Sequence, residues 1–166
     1  MNPCPFINII ILTKAELYKF AAQTSVMYYF KFGGYFMPIP IPKGQHISIQ
    51  KRLLSPDSCM SSMQVMVDYY NIGYIISGDR YVITPVETYS YHKGDVALAP
   101  PLFFHRTFSD SNEPYETILI KFTPDFVKPF IDIIGENEFK NFYNSKTFHF
   151  TKNTQQKVLN IFEDML

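Results

Sequence analysis

The chain has 166 residues, 46% hydrophobic and 17% aromatic, with 16 Phe, 12 Tyr and no Trp. That is the length of one domain, with enough apolar and β-forming side chains to exclude a disordered chain. Lys and Arg together equal Asp and Glu at 15 each, so the formal charge is zero, and no basic stripe marks a nucleic-acid surface. Cys4 and Cys59 show neither metal spacing nor a disulfide framework and suit a reducing compartment. The apolar run over 5–12 lacks a basic flank and a cleavage site, and no stretch has the length to span a bilayer. A cytoplasmic location with no membrane partner is expected.

Residues 1–46 read as an N-terminal arm. Ile7, Ile9, Ile10, Ile11 and Leu12 suit an added edge strand or a buried arm. Thr13-Lys14-Ala15-Glu16 fits a capping box and starts a short helix. Gly33-Gly34 breaks the aromatic run that follows, and the alternating prolines Pro38, Pro40 and Pro42 make an extended connector.

Residues 47–122 read as a series of strands. Ile47–Leu54 alternates, and Ser55-Pro56-Asp57-Ser58 turns. Residues 63–77 are a strand pair or one long bent strand. Gly78-Asp79 turns a hairpin into 80–84, 85–87 turns again, and 88–92 runs back to Lys93-Gly94-Asp95. Val96–Ala99 stops at Pro100-Pro101, 103–109 follows, and Tyr115–Phe122 closes the series. Roughly eight short strands at this spacing predict a sandwich or barrel. A sheet closed on itself would leave an interior for one small ligand.

Residues 123–166 change character. Thr123 as N-cap and Pro124 at the first helical position start a helix carrying Phe126, Val127, Phe130, Ile131 and Ile134, which Gly135 ends. Residues 138–143 are a further turn of helix and 148–150 a short extended piece. Thr151 caps a last helix with Val158, Leu159, Ile161, Phe162, Met165 and Leu166 on one broad side. The segment reads as a helical linker and dimerisation element, and the chain as part of a longer protein. No Ser/His/Asp or Cys/His set, phosphate loop or inward carboxylate pair is recognisable, so no catalytic residue is assigned.

Two spacings within 65–109 say more. Asn71 is followed by Gly78, and Gly94-Asp95 by Pro100 and then His105. The pattern resembles the two signatures of the cupin superfamily. In the first, Val65 and Val67 stand at the paired His positions, Asn71 at the Glu and Gly78 at the closing Gly. In the second, Gly94, Pro100 and His105 match, with Leu102 for the middle Gly and Ser109 for the Asn. Only His105 keeps its ligand chemistry, since valine cannot ligate and Asn71 is neutral. One imidazole does not make a stable metal site. The resemblance therefore implies a mainly β cupin-like double-stranded β-helix, or jelly-roll barrel, followed by helices, with neither metal nor cofactor.

A narrower resemblance covers residues 47–166. The ordered series YYNIGYIISG, YHKGDVALAPPLFFH and YETILIKFTPDFV, then helices, is similar to the N-terminal half of an AraC-type transcription regulator. Tyr70-Asn71-Ile72 stands where that family has Tyr-Glu-Ile. The resemblance implies a barrel that senses a small-molecule effector and a homodimer formed through the C-terminal helices. DNA would be contacted only through a helix-turn-helix domain not in this chain. Candidate ligand-binding residues are Val65, Val67, Asn71, Arg80 and His105, and the aromatic-rich interior suggests an apolar or ring-bearing effector.

Each candidate has a plainer reading. Val65 and Val67 suit core as well as pocket, and alternation would point 65, 67 and 71 inward together. Asn71 suits an amide that holds the barrel, and His105 a histidine bonded to a neighbouring strand. Arg80 beside Asp79 suits a solvated cation. Two other classes stay open: a metal-free cupin enzyme of isomerase or epimerase kind with His105 as base, and a dimerisation module whose barrel is filled by side chains.

Overall fold

A computed structural model describes residues 41, 43–66 and 68–166. The expected arm strand, the capping box, most of the proline connector and Val67 lie outside the described residues. Among those described, nine strands and three helices follow in order: β1 (Ile47–Leu54), β2 (Gln64–Met66), β3 (Tyr70–Ser77), β4 (Arg80–Ile83), β5 (Thr88–Tyr91), β6 (Val96–Ala99), β7 (Phe103–Phe108), β8 (Tyr115–Phe122), α1 (Pro124–Ile134), α2 (Glu136–Asn144), β9 (Thr147–Phe148) and α3 (Lys152–Glu163).

The strands form two antiparallel sheets, one ordered β1-β8-β3-β6-β9 and the other β2-β7-β4-β5. They face each other as a jelly roll. Their ladders are separate, so the interior is bounded by two packed sheets rather than by one sheet closed on itself. The reason lies in the 63–77 run. Its first part, β2, pairs with β7, whereas β3 pairs with β8 and β6. Asp68, between them, takes a left-handed φ of 64°. Gly78 turns the hairpin into β4 at φ +73°, where a Cβ would stand 2.7 Å from the Pro114 carbonyl, so glycine is required both by conformation and by space.

Period-two alternation divides the five-stranded sheet into two faces. Ile72, Tyr74, Val96, Leu98, Ile118, Ile120 and Phe122 point outward into a core completed by Val127, Phe130, Phe139, Tyr143, Val158 and Phe162 of the helices. Thr123 caps α1 by accepting from the Phe126 N–H at 3.4 Å. Gly135 at φ 91° separates α1 from α2. On α3, Val158 and Phe162 are fully buried against the chain's own sheet. Each such side chain contributes about 1.5–3 kcal/mol relative to exposure.

The helical segment also adds to the sheet. β9 pairs with β6, and Leu98 N–H donates to the Lys146 carbonyl at 2.7 Å. Buried Asp95 fastens this segment to the β5–β6 turn, accepting from His92 N–H at 2.8 Å and lying 2.7 Å from His149 Nδ1. A second, smaller core of Ile75, Val82, Tyr91 and Tyr115 packs between the sheets.

Candidate functional site

Between the sheets lies a cavity of about 150 Å³. The strands whose outward residues meet the helices supply its walls from the opposite phase. On β8, Thr117, Leu119 and Lys121 line it; on β1, Arg52 and Leu54; on β3, Asn71 and Gly73. The second sheet contributes Met66, Arg80, Val82, His105 and Thr107. Gly73, Ala97 and Ala99 keep the inner face low: a Cβ on Gly73 would meet Leu119 Cδ1 at 3.3 Å. Small residues on one wall and Met, Leu and Tyr on the others leave a space with apolar sides.

Three cationic side chains, Arg52, Arg80 and Lys121, are among the described residues that line the cavity. Lys121 is 2% exposed, and its pKa is pushed down to about 8, first by burial and then by Arg52. Its Nζ lies 4.9 Å from the centre of the Tyr69 ring, within cation–π range. Burial lowers the Arg52 pKa as well, while Tyr115 and Tyr69 work the other way. Arg80 is brought to about 10 by burial, against the effect of Tyr115, and so keeps its charge at neutrality. Tyr115 in turn is raised to about 12 by burial, held back by Arg80 and Arg52.

Of the expected residues, the structure brings Asn71, Arg80 and His105 to this cavity. Asn71 Nδ2 sits 2.8 Å from Met66 Sδ, and its buried Oδ1 accepts no hydrogen bond. His105 stacks on Phe103 and places Nδ1 3.1 Å from the Phe103 carbonyl. Burial lowers its pKa, so at neutral pH the imidazole is uncharged. Arg80 is not a solvated cation. It is 3% exposed and donates to the Ser58 carbonyl at 2.7 Å and to Thr107 Oγ1 at 3.0 Å, tying the loop after β1 to β7.

Val65 departs from the inward phase expected of it. It borders the cavity but is 47% exposed, paired across the ladder with Phe104 at 45%. Met66 is the buried residue of β2. Because β2 and β3 belong to different sheets, alternation does not carry from 65 through to 71, and a one-residue change of phase reverses every side chain. Val67 lies outside the described residues.

Sequence reasoning missed Arg52, Lys121 and Tyr69. The signal was available: in YETILIKF the apolar residues Ile118, Ile120 and Phe122 share one phase, which leaves Lys121 in the other. A Ser/His/Asp row also went unrecognised. Ser90 Oγ is 2.9 Å from His92 Nε2, and His92 Nδ1 is 3.0 Å from Asp79 Oδ1. None of the three lines the cavity, and the His92 and Asp79 side chains are about half exposed. The row joins two hairpin turns without a place for substrate. Among the described residues no three His, Cys, Asp or Glu side chains converge as a metal set.

A two-sheet jelly roll with a cavity between its sheets, and helices packed on the outer face of one sheet, defines a cupin-like ligand-binding domain. The chain belongs to the AraC-like ligand binding domain family, whose model matches residues 65–165. No curated protein sequence matches it. Among solved structures it is similar to an apo variant of ToxT from Vibrio cholerae, with a TM-score of 0.56 and 16% identity over 73% of this chain and 48% of that one. It is similar also to ToxT bound to (E)-4-(8-methylnaphthalen-1-yl)but-3-enoic acid, with a TM-score of 0.54, 15% identity, and 72% and 48% coverage. A Cupin 2 conserved barrel domain protein from Salinispora arenicola matches at a TM-score of 0.43 and 18% identity, over 57% of this chain and 78% of that one. At these identities the likeness to ToxT is one of fold, and the chain spans about half the length of the ToxT structures.

Proposed function

We propose that this chain is the effector-sensing domain of a cytoplasmic AraC-type transcription regulator and acts by recognition rather than catalysis. The observation that carries the reading is the cavity lined from both sheets, which holds a buried Asn71 acceptor with no donor. Polar atoms buried without a partner cost about 1–3 kcal/mol, a cost that a ligand donor recovers. An effector bound here shifts the domain only through a difference in affinity between two arrangements. The sheet that forms one cavity wall also carries the helices on its back, so a change in β8 reaches α1 and α3 within one strand thickness. DNA binding belongs to a helix-turn-helix domain beyond these 166 residues.

The homodimer belongs to the same reading. Val158 and Phe162 are taken up by the chain's own core, so a partner contact on α3 uses its remaining residues; sedimentation velocity showing only monomer across the micromolar range removes it. The naphthyl-bearing acid held by ToxT agrees in kind with the ring-bearing effector expected here.

A thermal-shift screen of small organic compounds tests sensing. Saturable increases in Tm are expected from organic ligands, and the reading is lost if only metal ions, or nothing, raise it. The neutral His105 imidazole in the cavity wall favours one second reading, a metal-free isomerase-like cupin. Any turnover that survives His105→Ala removes that option.

A further inference from the structure

Among the described residues that line the cavity, one side chain holds a buried polar atom that no protein group meets. It is Asn71, whose Oδ1 accepts no hydrogen bond. The other end of the same amide fixes its orientation, since Nδ2 donates to Met66 Sδ. A thioether accepts and cannot donate, so the nitrogen belongs on that side and the oxygen is the open end. The cationic side chains of the wall are engaged elsewhere. Arg80 donates to Ser58 and Thr107, Lys121 Nζ sits over the Tyr69 ring, and Arg52 has an interaction of its own. The Thr117 hydroxyl donates to the Tyr74 carbonyl. Asn71 is left calling for a donor.

The rest of the wall sets what carries that donor. Gly73, Ala97 and Ala99 keep one side low, and Leu54, Met66, Phe103 and Leu119 are apolar around it. Phe103 and His105 lie stacked, with ring centroids 4.7 Å apart and planes 21° apart, so flat groups already pack in this wall. Nδ1 of the neutral His105 ring lies 3.1 Å from the Phe103 carbonyl. A carbonyl only accepts, so Nδ1 carries the proton and the second ring nitrogen is a further acceptor. A cavity of about 150 Å³ is of the size that takes a benzene ring.

We propose that the cavity selects a small neutral aromatic compound of the phenol class, its hydroxyl donating to Asn71 Oδ1 and its ring against the apolar wall. The assignment rests on the effector-sensing reading and narrows it to a ligand class. A bare ring fills the same space and leaves the Asn71 oxygen unmet. A ring carrying only acceptors, or an ionised carboxylate, sets lone pairs against that oxygen and has no proton to give.

Isothermal titration calorimetry of the whole chain at neutral pH tests it with phenol, fluorobenzene, benzonitrile, benzoate and cyclohexanol. Phenol is expected to bind saturably and about tenfold or more tightly than fluorobenzene, benzonitrile and benzoate. Cyclohexanol, which has the donor without the flat ring, is expected to bind more weakly than phenol. Asn71→Leu removes the acceptor and keeps the bulk, and in that variant phenol is expected to bind no better than fluorobenzene. A variant that still prefers phenol overturns the Asn71 contact. In the unaltered chain, fluorobenzene or benzonitrile binding as tightly as phenol overturns the donor assignment, benzoate ahead of phenol overturns the neutral class, and cyclohexanol level with phenol overturns the aromatic one. Each of these results leaves the effector pocket standing. Binding of none of the five also overturns the proposal, whereas the sensing reading is decided by the broader thermal-shift screen. The comparison of phenol with fluorobenzene needs no variant, so it decides even if Asn71→Leu fails to fold.

Discussion

The two faces of the five-stranded sheet are both buried, yet they are chemical opposites. On β8, Ile118, Ile120 and Phe122 meet the helices, while Thr117, Leu119 and Lys121 meet the cavity. The outer face is apolar where the helices cover it, matched by side chains from all three of them, and carries the Lys51–Glu116 ion pair at its end away from Phe122. The inner face carries Gln50, Arg52, Asn71, Thr117 and Lys121 around the small residues Gly73, Ala97 and Ala99. Burial therefore does not distinguish them. Stability resides in the outer face, where each large side chain gains about 1.5–3 kcal/mol. The inner face draws on it: with Lys121 lowered from 10.5 to about 8, the folded domain gives up about 3 kcal/mol to hold that one charge. A domain built only to fold would have placed apolar side chains on both sides. One of the five expected ligand residues, Asn71, lies on this inner face.

Four changes break or sharpen this contrast. Phe162→Ala empties a fully buried site on the outer face and is expected to cost about 3–5 kcal/mol in urea unfolding. A loss below about 1 kcal/mol would show that the helices are not the stabilising partner. Arg80→Met removes the strut and strands the Ser58 carbonyl and Thr107, an expected loss of about 2–3 kcal/mol in the same measurement.

Lys121→Met goes the other way, with an expected gain of about 1–3 kcal/mol for the unliganded domain at neutral pH. The sign follows from the lowered pKa. Below about 8 the lysine is charged in both states and the burial penalty is present in full. Between about 8 and 10.5 the unfolded chain holds more protons, so the unaltered domain gains stability as pH rises and the gap to the variant closes. Thermal melts across that interval read it directly; a constant gap would place the charge elsewhere than the cavity.

His105→Gln gives the smallest effect, below about 1 kcal/mol near neutrality. Burial holds the folded imidazole neutral, so the unfolded chain takes up its proton first as pH falls through about 6.5 and the unaltered domain loses stability there. The variant is expected to show a shallower acid limb in its melting profile.

Much of the architecture was legible beforehand. The spans Val96–Ala99 and Tyr115–Phe122, the turns at Gly78 and Gly94, and the Thr123-Pro124 helix start agree with the structure, because each rests on sterics and hydrogen bonds within a few residues. The family pattern also survived substitution. Leu102, which stands at the middle Gly of the cupin signature, keeps a left-handed φ of 61° with its side chain 70% exposed. The site was less legible. Asn71 and His105, chosen through the motif, line the cavity; Val65 borders it half exposed rather than pointing inward; and Arg52, Lys121 and Tyr69, which line it too, were not singled out. Arg80 was favoured as solvated, although it follows a Gly-Asp turn into a strand with one buried phase.

The order of strands and turns, the helix starts and the apolar stripe on the last helix were settled by the chain itself, since those depend on neighbours a few residues away. Which side of each strand became core and which became cavity was decided only in three dimensions. A strand alternates whatever packs on it, and the helices that claimed one face of β8, like the second sheet that enclosed the other, come from distant parts of the chain. That Arg52 and Lys121 line one cavity from two adjacent strands is a product of that register, and no local rule contains it.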